Sequence, residues 1–153
     1  MMTHTDNALW GLPDPAYQPE YYESVALKRL MAWGVDVVVI FTLSVLASLL
    51  SFGIGFFLFG LVYFSVGFVY RVLTISGRSA TLGMRLMAIE LRTHRGDRFD
   101  PMTAIFHTLG YYISMATFLL QLISLVMMFT TPRGQGLIDM VLGTTALNRQ
   151  ARQ

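Results

Sequence analysis

Lys28-Arg29-Leu30-Met31-Ala32-Trp33-Gly34-Val35-Asp36 runs straight into Val37-Val38-Val39-Ile40-Phe41, and no residue from there to Leu61 carries a charge. A carboxylate at the mouth of such a run is costly in hydrocarbon, so a partner must hold it there. Read as a helix, Arg29 and Asp36 stand two turns apart and share a face with Trp33. The vertical gap is about 10 Å, so the two charges stack along a stripe rather than pair directly. The rest of the chain has to supply whatever meets that stripe.

Composition points the same way. The 153 residues are 54% hydrophobic and only 13% charged, with a mean hydropathy of +0.55. A soluble domain of this size could not hide so much apolar surface, whereas three uncharged stretches of about 20 residues each are of spanning length. The sequence therefore reads as an all-α integral membrane protein. It comprises a transmembrane helical hairpin, then a third long apolar helix or a short helical pair, with a basic cytoplasmic loop holding a short amphipathic helix or strand. The spans fall at about 30–51, 55–74 and 104–131.

The first 22 residues form a separate tail, broken by Gly11, Pro13, Pro15 and Pro19. It is expected to be disordered, with its aromatics resting on the membrane interface; a proline-rich ligand for a partner is the other reading, though no clean repeat supports it. Its acidic residues are the reverse of a basic leader, so the first span acts as its own insertion signal.

Ser44, Ala47, Ser48 and Ser51 give the first span a small-residue side, and Phe52-Gly53-Ile54-Gly55 makes a tight turn. The second span presents Gly60, Tyr63, Gly67 and Tyr70 or Arg71 to its partner. Asp36 precedes the turn and Arg71 follows it by about the same distance, roughly 25 Å of helix, so both lie at matching depth near the cytoplasmic mouth. Asp36 is then neutralised by Arg71, or by Arg29 folding over it; alternatively, Arg71 snorkels to lipid phosphate without a protein partner.

Net charge is +2, and all but one of the eleven basic residues are arginine. Arg78, Arg85, Arg92, Arg95 and Arg98 follow Arg71 in one loop, which places it on the cytoplasmic side against anionic lipid headgroups. No nucleic-acid motif accompanies these charges. In that loop Thr81-Leu82-Gly83 opens a short interfacial helix, and Met87 to Arg92 alternates as a strand. Asp100-Pro101 caps the third apolar block, which reads as one crossing because no Gly or Pro follows Gly110; two half-crossings around residues 118–121 are the alternative. Asp139, in a glycine-punctuated loop, is a helix cap or a solvated residue. His107 reads as a core or interfacial histidine, or as a titrating relay.

Taken together, Arg29, Asp36 and Asp139 resemble the one arginine and two aspartates that give the RDD family of membrane proteins its name. The loop Gly77-Arg78-Ser79-Ala80-Thr81-Leu82-Gly83-Met84-Arg85-Leu86 is similar to that family's Gly-x-Thr-x-Gly-Lys-x-Leu segment, and the likeness covers about residues 24–148. The chain departs from the pattern at Met84, where the family carries Lys, and at Ala88, where a Gly is common. His107 stands where an Arg opens the third block, and Ile138 replaces a His. The resemblance implies a bacterial membrane protein of poorly characterised role, with transport ascribed to some members and Asp139 on the cytoplasmic side.

No nucleophile turn or metal spacing supports an enzyme. With no cysteines, disulfides and thiolate metal sites are excluded, and no cofactor is expected. Two functions follow as expectations. One is proton-coupled transport, with Asp36 as the ion-binding carboxylate and Asp139 and His107 as partners. Three spans cannot enclose a path alone, so this needs a homo-oligomer. The other is an accessory or assembly protein of the inner membrane, N-terminus cytoplasmic, whose polar residues fix helix packing and whose Arg loop binds lipid or a partner.

Overall fold

The structure is a computed structural model and describes residues 11–149. A 3₁₀ turn at Pro19–Tyr21 leads into α1 (Val25–Leu50), a one-turn α2 (Ile54–Phe57), α3 (Phe59–Arg78) and a short α4 (Leu82–Leu86). Then come β1 (Ile89–Arg92), α5 (Pro101–Ala116), α6 (Phe118–Thr130), α7 (Leu137–Leu142) and β2 (Thr145–Asn148). The helices α1 and α3 are long and apolar enough to cross a membrane, and no residue between Asp36 and Arg71 carries a charge.

The α1–α3 hairpin packs through small polar residues. Ser44 and Ser48 are fully buried, and the Ser44 hydroxyl donates back to the Ile40 carbonyl at 2.7 Å. At the reversal the Ser51 hydroxyl accepts from the Gly55 N–H at 2.8 Å. A Cβ on Gly55 would lie 2.7 Å from Ser48 Cα, so only glycine allows that approach. Large apolar side chains such as Phe52, Phe57 and Leu50 face outward instead. Buried serines beneath an apolar exterior invert the pattern of a soluble domain and suit lipid as the solvent.

The third apolar block takes the alternative of a short helical pair rather than the favoured single helix: it is two helices, α5 and α6, bent by 116° at the break. Thr117 takes extended backbone (φ −112°, ψ 98°) while its N–H still bonds the Ile113 and Ser114 carbonyls. At 16 and 13 residues the helices are about 24 and 20 Å long, each short of the roughly 30 Å hydrocarbon core. The turn needs no Gly or Pro because its strength is tertiary. Beyond the bend, α6 is held by the Ser124 hydroxyl, which accepts from the Leu137 N–H of α7 at 3.1 Å. The chain thus returns to the end from which α1 and α5 start.

At that end a polar cap gathers. Thr81 caps α4 by accepting from the Met84 N–H, and Asp100 caps α5 by accepting from the Thr103 N–H at 2.9 Å. β1 pairs antiparallel with β2, from Ile89 opposite Asn148 to Arg92 opposite Thr145. β2 was not foreseen, since Thr145–Asn148 is too short to show a period. Val25, Ala32, Ile75, Ile89, Leu91 and Phe99 join in the core beneath this cap.

Residues 11–22 also differ from the disordered tail expected of them. Leu12 and Tyr22 are buried against Leu147, the Tyr22 hydroxyl donates to the Pro13 carbonyl at 2.7 Å, and Asn148 donates to the Glu20 and Glu23 carbonyls. The rest of the expected tail, Trp10 included, lies outside the described residues.

Ala88, between α4 and β1, sits at φ +55°, a region that strains an L side chain by about 1–2 kcal/mol. Ala88→Gly is expected to raise stability by about 0.5–1 kcal/mol, part of the relieved strain being lost to glycine's freedom in the unfolded chain. Thermal denaturation in detergent checks this; an unchanged or lower melting temperature refutes it.

Candidate functional site

The stripe on α1 meets two different elements. Arg29, near its start, reaches α7: one guanidinium nitrogen donates to Asp139 Oδ2 at 2.5 Å and to the Gly134 carbonyl at 3.2 Å. Asp139 is 1% exposed. Its Oδ2 also accepts the Gly136 N–H (3.1 Å), and its Oδ1 accepts from Thr144 Oγ1 (2.9 Å) and faces His107 Nε2 at 3.2 Å. A carboxylate only accepts, so the ring nitrogen facing it carries the proton. Burial opposes ionisation of Asp139, but the Arg29 charge and the His107 hydrogen bond and charge outweigh it and hold the carboxyl well below the usual carboxylate range. Asp139 is thus a cap of α7, as one sequence reading had it, and not a solvated one.

Two turns along α1, Asp36 meets α3 and α4. Its Oδ1 accepts from the Tyr70 hydroxyl (2.7 Å) and the Gly83 N–H (3.0 Å), and its Oδ2 from the Thr81 hydroxyl (2.6 Å). Arg71 comes to 3.9 Å from Oδ2, inside ion-pair range but too far for a hydrogen bond. Arg29 does not fold over Asp36, which corrects that alternative. Nor does Arg71 snorkel outward: its guanidinium stacks 4.2 Å from the Tyr111 ring centroid and donates to the Tyr111 hydroxyl at 3.3 Å. Between the two acids, α4 lies so close to α1 that a Cβ on Gly83 would fall 2.1 Å from the Ala32 carbonyl oxygen.

Arg29, Asp36, Arg71, His107 and Asp139 all line one cavity of about 270 Å³ among α1, α3, α5, α6 and α7. The loop arginines are not gathered there. Arg78, Arg92 and Arg98, with Arg149, border a wide depression of about 960 Å³ on the polar cap. Arg92 is paired with Glu90, Arg95 is exposed, and Arg85 carries a buried Nε without a protein partner. Tyr70, Thr81, Gly83 and Thr144, the neutral donors to the two acids, were not singled out as site residues. The signal for Thr81 was its place as N-cap of α4, and for Tyr70 its place beside Arg71 on the packed face of α3. Among the described residues no group of three His, Asp or Glu side chains is placed to hold a metal ion.

A hairpin of spanning helices, a bent apolar helix pair and two buried acids at the polar end define a small membrane protein. The chain belongs to the RDD family, which residues 24–143 match. No curated protein and no solved structure matches it.

Proposed function

We propose that this chain is a non-catalytic accessory protein of a bacterial inner membrane, its polar cap and N-terminus cytoplasmic, acting as a homo-oligomer or beside a partner membrane protein. The observation that carries this reading is that both acids are engaged as structural acceptors. Asp139 has four donors of this chain on its two oxygens, and Asp36 has three with a guanidinium beside them. A carboxylate that picks up and releases an ion has to exchange such donors for it; these two use them to latch α7, α4 and α3 to α1. The basic depression bordered by Arg78, Arg92 and Arg98 is the face that meets anionic headgroups or a partner, and its arginines favour the cytoplasmic side.

Proton-coupled cation exchange is the second reading, favoured by the cavity that Asp36 and Asp139 share. Reconstitution into vesicles separates the two. The accessory reading expects no proton-linked cation flux from well-folded protein above that of empty vesicles, and no change with Asp36→Asn. Flux that Asp36→Asn abolishes with the fold intact would establish transport instead. A reporter fused after Gln153 is expected to read cytoplasmic.

A further inference from the structure

We infer that the cavity between the two acid sites binds an anionic amphiphile, with a carboxylate or phosphate head on Arg71 and an apolar tail leading out past Trp33 to the lipid. The inference rests on the balance of donors and acceptors in the cavity wall and is independent of the function proposed above.

The carboxylate beside Arg71 is engaged with other groups: Asp36 Oδ1 accepts from Tyr70 and Gly83, and its Oδ2 from Thr81. Arg71 is 7% exposed, makes no hydrogen bond to Asp36 at 3.9 Å, and keeps a buried Nε without a protein partner. A guanidinium offers five donors; this one donates to the Tyr111 hydroxyl and has the Tyr112 hydroxyl as a further neighbour, which leaves its Nε unpartnered.

The surplus continues along α5. The Tyr111 hydroxyl accepts from both Arg71 and Trp33 Nε1 (2.8 Å), which leaves its own proton to give. Thr108 and Ser114 line the same cavity, are 1% and 3% exposed, and each carries a buried hydroxyl without a protein partner. The hydroxyls can turn their protons inward, and beside a cation with an unpartnered Nε they suit an acceptor bearing negative charge.

The remaining wall selects the tail. Leu30, Met115, Leu125 and Met128 line the cavity, and Leu30, Trp33 and Met115 are also exposed on the outer face, so the space opens towards lipid. Its 270 Å³ equals about nine water volumes. That is room for a head and the first part of one chain, with the rest lying outside. A free anion such as inorganic phosphate shares the head chemistry and lacks the tail.

The test uses the full chain in phosphatidylcholine vesicles, on a Trp10→Phe background so that Trp33, on the cavity rim, is the sole tryptophan and can be excited selectively. Brominated phosphatidylglycerol and brominated phosphatidylcholine are titrated as quenchers. The anionic lipid is expected to win by about tenfold in apparent affinity, as one charge-assisted hydrogen bond supplies. Arg71→Gln should remove the preference, whereas Arg95→Gln, an exposed side chain that lines neither the cavity nor the basic depression, should keep it. Because Arg71→Gln also touches the Asp36 site, Ser114→Leu provides a second probe, filling the cavity from α5, and it too should remove the preference. Inorganic phosphate that relieves the excess quenching or raises the melting temperature identifies a free anion as an occupant of the same head site; no relief identifies the lipid alone. The inference is overturned if the preference survives both Arg71→Gln and Ser114→Leu. It is equally overturned if wild type shows no preference and phosphate leaves its melting temperature unchanged.

Discussion

Asp139→Asn is expected to cost the folded chain about 3–5 kcal/mol, the usual effect of breaking a buried ion pair from one side. The amide can still accept from Thr144 through one oxygen. Its nitrogen, however, then faces the Arg29 guanidinium and the Gly136 N–H, and three donors meet with no acceptor. Arg29→Gln should cost a similar amount, and the double variant much less than the sum, because both changes remove one interaction. Arg95→Gln, on an exposed side chain, should stay within about 0.5 kcal/mol of wild type. Unfolding in detergent measures all four. Acid supplies a further check. The folded carboxyl lies below its ordinary value, which is about 3.9 in an unfolded chain. The stability contributed by the pair is therefore fully present above about pH 4 and is lost as pH falls towards the folded value. In that window wild type should lose about 1.4 kcal/mol per pH unit relative to Asp139→Asn. Equal slopes would show that the folded carboxyl is not held below its ordinary value.

The partner of Asp139 shows where sequence reasoning stops. Arg29 lies 110 positions away, and no local pattern carries a contact over that distance. The hairpin was legible because hydrophobic length and a glycine turn are local signals, and equal counts from that turn set Asp36 and Arg71 at one depth, where they lie 3.9 Å apart. The caps at Thr81 and Asp100 were legible for the same reason. The bend at Thr117 was foreseen only as the alternative break around residues 118–121, since no Gly or Pro marks it and what holds α6 back is the Ser124–Leu137 bond to a later segment. Residues 11–22 misled through their prolines, which prevent a helix but allow the irregular packing of Leu12 and Tyr22 on Leu147. His107 faces Asp139 from the first turns of α5, a contact 32 positions apart that no local pattern carries. Ala88 keeps the left-handed backbone that a glycine adopts freely.

Gly83→Ala should damage the other half of the stripe without touching a charge. Its Cβ would lie 2.1 Å from the Ala32 carbonyl oxygen and 2.8 Å from the carbonyl carbon, backbone atoms that cannot swing aside. Overpacking of this kind costs about 1–3 kcal/mol. The only relief is for α4 to back away from α1, and that movement draws the Gly83 N–H and the Thr81 hydroxyl off Asp36. A buried carboxylate short of its donors adds about 1–3 kcal/mol more. The two costs have a common cause, so they should not add to those of Asp36→Asn. Once the carboxylate is an amide, withdrawing its donors matters less, and Gly83→Ala should then cost only the packing share. Full additivity in that double-mutant cycle would show that α4 approaches α1 for reasons of its own. Marked non-additivity would show that the loop glycine and the embedded acid form one device, in which a missing side chain lets backbone and hydroxyl donors reach a charge within the apolar run.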